Sequence, residues 1–301
     1  MGQQISKSAV HEKSTSVGVA TGTLYVVATP IGNLDDLSPR ALEVLRAADS
    51  IVAEDTRHSG RLLSHFGVRT RMRALHDHNE RTVAPELAQQ VVAGRHIALV
   101  SDAGTPLVSD PGFVLVDAVL SAGARVVAIP GPSAVIAALS ICGLATDRFT
   151  FEGFLPAREK ARLERLQELK DEPRTWVCYE SPHRIIATVG ALAEVFGQAR
   201  VIAVAKELTK LHEKVFRGTP AAALAWLKAD PQRLRGEFVV LVSGAPSVPV
   251  GSTYDTDKFL RAALEELPPA RAARMLAKVT GVARKQLYHR ALELNGEEPD
   301  E

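Results

Sequence analysis

The sequence predicts a protein of two α/β domains with a small helical appendage. Short runs that are apolar throughout alternate with helical patterns from Thr23 to Val242, as in a parallel sheet covered on both faces. The 301 residues suit about two domains rather than one. Residues 244–252 are rich in Gly, Pro and Ser and read as a linker, with only helical periodicity beyond them.

Residues 1–22 are polar and lack an apolar core, so a disordered tail is expected rather than a secretory signal. Met1-Gly2 through Ser6 fits a myristoylation pattern only formally. A strand is expected at 24–28, stopped by Pro30 and Gly32. Ser38-Pro39 reads as an N-cap and first helical position, and Ala41, Leu42, Leu45 and Ala48 form that helix's apolar face. A strand at 50–53 ends in Glu54-Asp55, and Leu62, Leu63 and Phe66 mark the next helix. A helix at 80–93, a strand at 97–100, a helix at 112–121, a strand at 125–129 and a helix from Ser133 complete a first domain, 23–148. The second domain, 149–246, opens with Phe149 to Pro156. It continues with a charged helix at 157–170, a strand at 175–179, a helix from 183, a strand at 201–205, a hairpin holding Lys214 and Arg217, and a strand at 237–242. Residues 253–301 form a helical C-terminal extension, its three short helices between 255 and 294, with eight Lys/Arg against five acids from 254 to 294.

Composition narrows the function. Lys+Arg number 36 and Asp+Glu 35, a net charge of +1, so the chain is not a general nucleic-acid coat, and any RNA contact must come from a local patch. Cys142 and Cys178 are too few for a disulfide framework or a cysteine zinc site. They read as core thiols of a reducing, cytoplasmic protein. No apolar run reaches membrane-spanning length, and no membrane partner is expected. His76-Asp77-His78 lacks a third ligand at recognisable spacing, so no metal is expected. The dinucleotide and P-loop glycine motifs are missing, and Gly131-Pro132-Ser133-Ala134-Val135 lacks the last glycine of a nucleophile elbow.

Four Gly/Pro loops each follow an apolar strand: Thr29 to Asn33, Ser101 to Gly112, Pro130 to Ala134, and Tyr179 to Arg184. Ligands bind outside the carboxyl ends of such strands. Glycine lets main chain approach closely, and proline fixes it there. Asp102, Thr105 and Ser133 can add a few orienting hydrogen bonds.

These motifs, with Ala53-Glu54-Asp55-Thr56-Arg57, Phe151-Glu152-Gly153-Phe154-Leu155-Pro156, Lys206-Glu207-Leu208-Thr209-Lys210 and Gly236-Glu237-Phe238, resemble the tetrapyrrole methylase superfamily. Within it they resemble the branch that modifies small-subunit ribosomal RNA. The resemblance covers about 23–245, and the helical tail is also typical. It implies two α/β domains with S-adenosylmethionine in a cleft between them, a homodimer, and methylation of a cytidine ribose 2′-hydroxyl in the decoding region of 16S rRNA. Carried over by position, Pro30, Gly32, Asp102, Ala103, Gly104, Thr105, Pro106, Gly131, Ser133 and Ala134 would line the cofactor pocket, with Tyr179 from the second domain.

A ribose hydroxyl needs a proton acceptor or a cation that stabilises developing alkoxide. Glu54 or Glu207 could be the base. Lys206 or Arg57 could stabilise the oxyanion or hold phosphate. Asp55, Arg57, Arg158, His183 and Arg184 are the expected substrate contacts. The helix at 157–170 offers further cations in Lys160, Arg162 and Arg165. Two alternatives stay open: a methylase of corrin-type precursors, and a non-catalytic RNA-binding module of ribosome assembly.

Overall fold

A computed structural model describes residues 22–246 and 256–295. The expected tail, apart from Gly22, and most of the expected linker lie outside the described residues.

The first sheet holds β1 (Thr23–Val27), β2 (Ser50–Ala53), β3 (Met72–Ala74), β4 (Ile97–Val100) and β5 (Arg125–Ile129), in the order β3-β2-β4-β1-β5. Every pairing is parallel, as the wholly apolar strands require. One face packs Leu24 and Leu99 against Leu87 and Val91 of α3 (Glu80–Val92) and Leu115 and Val119 of α4 (Phe113–Ser121). The other packs Val27, Leu45, Ile51 and Leu63 against α1 (Pro39–Ala47) and α2 (Thr56–His65). Ser38 accepts from the Ala41 N–H with Pro39 in the first turn, so α1 starts where its capping residues place it.

The second sheet is mixed. Its strands are β6 (Phe149–Phe154), β7 (Thr175–Glu180), β8 (Ile202–Lys206), β9 (Lys214–Gly218) and β10 (Phe238–Val242), in the order β6-β7-β10-β8-β9. Only β6 and β7 run parallel; the other pairs are antiparallel. Alternate residues of β10 serve opposite faces. Phe238, Val240 and Val242 join Trp176, Ile185 and Leu192 in a core covered by α6 (Glu159–Glu168), α7 (Ile185–Phe196) and α8 (Pro220–Lys228). Val239 and Leu241 pack against Val135, Ala138 and Leu139 of α5 (Ala134–Ile141). Thus α5, which precedes the second block in the chain, covers the second sheet.

Two elements have no counterpart in the sequence reading. β3 is a three-residue edge strand with Arg73 at its centre, too short for a period to register. α8 carries Thr219 and Pro220 at its start, the same capping pattern as α1. The charged helix is shorter than 157–170, since Arg158 takes the N-cap position and residues 169–171 tighten into a 3₁₀ turn.

The C-terminal unit is compact by itself. Its helices α9 (Thr256–Leu264), α10 (Pro269–Thr280) and α11 (Arg284–Asn295) enclose Leu260, Ala272, Leu276, Leu287 and Ala291. Gly281 ends α10 at φ +70°, a left-handed cap that favours glycine.

Candidate active site

Parallel register brings the carboxyl ends of β1, β2, β4 and β5 to one edge, and the loops leaving them are tied together. Thr29 and Gly104 exchange backbone hydrogen bonds of 2.8 and 3.1 Å. The Thr105 hydroxyl donates to the Pro132 carbonyl at 3.0 Å. The Asp55 N–H donates to Asp102 Oδ1 at 3.1 Å. Gly104 holds φ +80°, and a Cβ there would lie 3.2 Å from Ile31 Cγ2. Leu107 and Ser109 in the same loop hold positive φ of 73° and 66°, a strain that the surrounding bonds must sustain.

These loops face the second sheet across a cleft of about 420 Å³, within the usual range for a small-molecule site. Ile31, Glu54, Asp102, Ala103, Gly104, Thr105, Val108, Ser109 and Asp110 line one side. Ser133 and Ala134 at the start of α5, with Phe154, Tyr179, Glu180, Leu208, Glu237, Phe238 and Val239, line the other. Ser133 stands at the N-cap of α5 but makes no side-chain cap bond.

The cleft is acidic. Burial, then the charges of Asp102, Asp110 and Asp77, raise the Glu54 carboxyl to about 7. Burial also raises Asp110 to about 6, with Asp102 and Asp77 adding to it against a hydrogen bond from Ser101. Burial and the Asp110 charge push the Tyr179 phenol to about 12. That ring packs edge-on to Phe151 and Phe154, at 4.9 and 5.7 Å between centroids.

Of the expected cofactor residues, Asp102, Ala103, Gly104, Thr105, Ser133, Ala134 and Tyr179 line the cleft, as does Glu54. Pro30 and Pro106 are buried behind it. Gly32 and Gly131 shape the loops instead: a Cβ at Gly32 would meet Lys210 Cγ at 2.4 Å, and one at Gly131 would meet Ala28 Cβ at 3.0 Å. Asp110 belongs to the Ser109-Asp110-Pro111-Gly112 motif, so its place was accessible to sequence reasoning. Ile31, Phe154, Leu208 and Glu237 also sit in quoted motifs, but nothing in a linear motif says which side chain turns inward.

Lys206 and Glu207 do not line the cleft. Glu207 holds φ +53°, and its Oε1 accepts from Lys210 Nζ at 2.9 Å and from the Glu237 N–H at 3.0 Å. Burial acts to raise its carboxyl, but these bonds and the charges of Lys210 and Lys206 outweigh it, leaving it below the ordinary value. Lys210 also reaches Glu237 Oε2 at 2.9 Å. The trio forms a latch that fixes the loop between β8 and β9. Lys206 ends β8 opposite Phe238; it is buried, at 5% exposure.

The expected substrate contacts divide. Arg57 is solvent-facing, with 89% of its side chain exposed, and pairs with Asp55 at 3.1 Å. Arg57's side-chain and backbone hydrogen bonds lower the Asp55 carboxyl to about 2. His183 and Arg158 are exposed. Arg184 turns inward: it donates to the Leu155 carbonyl and lies 3.3 Å from the buried Glu180. Of the four cations expected on 157–170, Arg158 and Lys160 are exposed and the other two are withdrawn. Arg162 is buried and donates to the Ala157 carbonyl at 3.2 Å, while Arg165 is held by Glu152 and Glu168, each at 2.6 Å.

Two α/β layers with acidic Gly/Pro loops at a shared cleft define a class. Residues 23–224 match the family of Tetrapyrrole (Corrin/Porphyrin) Methylases, and residues 251–295 match the RsmI C-terminal HTH domain. The solved structure of a diphthine synthase superposes with a TM-score of 0.53 at 15% identity, covering 74% of this chain and 90% of that one. A uroporphyrin-III C-methyl transferase from Thermus thermophilus, complexed with S-adenyl homocysteine, superposes with a TM-score of 0.51 at 16% identity, covering 74% and 97%. At these identities the likeness concerns the fold. The chain belongs to the tetrapyrrole methylase family and is a methyltransferase. More specific relatives carry the name ribosomal RNA small subunit methyltransferase I. That of Xylella fastidiosa is 51% identical over 89% of this chain and 98% of its own length. That of Pseudomonas aeruginosa is 48% identical over 92% and 99%.

Proposed function

We propose that this chain transfers a methyl group from S-adenosylmethionine to a ribose 2′-hydroxyl of a cytidine in 16S rRNA, acting as a homodimer on the small ribosomal subunit. The observation that carries the reading is the acidic cleft lined by Glu54, Asp102 and Asp110 at the strand ends, in a chain whose near-full-length relatives are named as small-subunit rRNA methyltransferases. The name and near-full-length coverage of the relatives support the RNA substrate over a corrin-type precursor. The methylase family match and the methyltransferase relatives favour an enzyme over a non-catalytic RNA-binding module.

The cleft fits the cofactor. Glu54, Asp102 and Asp110 crowd negative charge without a cation among the cleft-lining residues, and a sulfonium with an ammonium group answers that charge. The first turn of α5, uncapped by the Ser133 side chain, turns the Val135 N–H to Tyr179 and offers its remaining backbone N–H groups to a carboxylate. Gly104 and Ala103 let main chain approach the ligand closely. When bound, the cofactor supplies an electrophilic methyl group. The protein then supplies position and a proton acceptor.

Glu54 is the better base. A proton affinity near the working pH maximises both the ionised fraction and the driving force for proton transfer. Glu207 is held ionised by its latch partners and makes a poor acceptor. Lys206 completes β8 beside that latch, where its charge supports Glu207. The exposed apolar side chains Phe113 and Leu120 on α4 are consistent with a face that a second copy covers. Ribose-methylation mapping of 16S rRNA from cells with and without this protein tests the proposal. Loss of one 2′-O-methylcytidine supports it; an unchanged map overturns it.

A further inference from the structure

The cleft walls carry carboxylates, so the phosphates of an RNA must be held elsewhere. The helix first expected to hold them, α6, has its Arg162 buried and its Arg165 paired. A different stretch stands out. From Thr56 to His76 the chain has five arginines and three histidines and no Asp or Glu. The whole chain is only +1, so the rest of it holds more acid than base.

The fold gathers this stretch around the β3 edge of the first sheet, with α2 on one face and Arg73 turned to Glu86 of α3 on the other. α2 starts immediately after the cleft residue Glu54 and its neighbour Asp55. Arg57, Arg61 and His65 recur every fourth residue and share its outer face, whereas Ser59 and Leu63 are buried. At 1.5 Å per residue α2 extends about 15 Å away from the cleft mouth. It lies against β3, since a Cβ on Gly60 would stand 3.3 Å from Met72 Cε. β3 is the edge of the first sheet, and Arg71 enters it where its carbonyl accepts from the Ile51 N–H at 2.8 Å. Arg61, Arg69 and Arg71 are all exposed. Arg57 and Arg73 are partly neutralised by Asp55 and Glu86. The side chains of Arg61, Arg69 and Arg71 make no hydrogen bond or ion pair among the described residues.

We infer that the strip formed by Arg61, Arg69 and Arg71, beginning at Arg57, is a phosphate track that holds the RNA strand leading into the cleft. The inference rests on the RNA reading above. Guanidinium groups on α2 and on the loop that leads into the edge strand match phosphate oxygens in charge and geometry. Each phosphate so neutralised releases counterion and adds about 0.7 to the salt dependence on a single strand.

The test compares R61Q/R69Q/R71Q with the charge-preserving R61K/R69K/R71K, using transcribed 16S rRNA as the probe. None of the three residues lines the cleft. In the Gln variant, the slope of log Kobs against log salt becomes shallower by about 2. The Lys variant keeps most of the slope. Single-turnover methylation at saturating RNA and cofactor affinity stay at the parental level in both. An unchanged slope in the Gln variant, with the parent methylating RNA normally, overturns the track and leaves the function standing. A parent that neither binds nor methylates the rRNA overturns the function itself, and the track with it.

Discussion

The assignment of Glu54 as base makes a demanding prediction about pH. Burial is the larger cause of its raised proton affinity, followed by Asp102, Asp110 and Asp77. In the free enzyme the carboxyl titrates at about 7, so kcat/KM for the cofactor should rise with pH up to that point and level off above it. One pH unit below, only about a tenth of the enzyme is ionised. A bound cation would relieve the repulsion among the three carboxylates, so the inflection of the saturated complex should lie lower. Glu54→Gln removes the proton acceptor, and the single-turnover rate should fall by about 10²–10⁴-fold and lose its acidic limb. Stability should move the opposite way. A carboxyl whose folded proton affinity exceeds its unfolded value favours the fold when protonated, and that contribution is lost as pH rises from about 4.5 through about 7. The variant should therefore melt above the parent at pH 8, with the gap closing toward pH 4.5. A near-parental rate in Glu54→Gln, together with a collapse in Glu207→Gln, would refute the assignment and return the base to the second sheet.

Other outcomes follow from the same geometry. Gly104→Val places a β-branched residue at φ +80° beside Ile31, so calorimetry should show cofactor binding abolished while far-ultraviolet circular dichroism stays native. Lys210→Met removes the shared cation of Glu207 and Glu237; limited proteolysis should begin in the 207–213 loop, with roughly 1–2 kcal/mol lost in denaturant titration. Truncation after Ser243 removes a unit compact by itself with eight Lys/Arg against five acids between 254 and 294. It should weaken rRNA affinity and flatten its salt dependence while calorimetric cofactor affinity persists. A truncated protein that binds RNA unchanged but becomes monomeric would make that unit a dimerisation element.

Much of the fold was legible because its signals are local. Capping pairs such as Ser38-Pro39 and fully apolar strands such as 97–100 announce themselves in a few residues. α8 carried the same signal in Thr219-Pro220 and was readable by the same rule. What local pattern does not contain is partnership. Nothing in Ala134–Ile141 says that α5 will leave the first sheet and cover Val239 and Leu241 of the second. That helix is apolar on nearly every side, so its period does not choose a face. The charged face of α6 misled for a related reason: Arg162 and Arg165 look solvated in sequence, yet Arg162 is buried against the Ala157 carbonyl and Glu152 of β6 draws Arg165 in.

The site shows the same division between motif and partner. Strand ends alone placed the loops at 101–112 and 130–134 beside the cleft, and the family resemblance named the individual pocket residues. The choice between Glu54 and Glu207 was not available there, because both follow apolar strands and both have a neighbouring charge. The structure separates them by surroundings. Glu54 has Asp102 and Asp110 nearby and receives no cation, so ionisation is costly and its proton affinity rises. Glu207 receives Lys210 and the Glu237 N–H, and Gly32 and Gly236, which pack against Lys210 and Glu207 from other loops, leave room for that latch and for no side chain of their own. The positive φ of Glu207 and Thr209 is strain that the latch must hold, which gives Glu207 a structural reason to be a charged, fully engaged carboxylate. A group cannot be held ionised by three donors or charges and also serve as the acceptor of a poorly acidic hydroxyl proton. Glu54, half-buried among acids with only the Asp102 backbone to favour its charge, is the one able to take that proton.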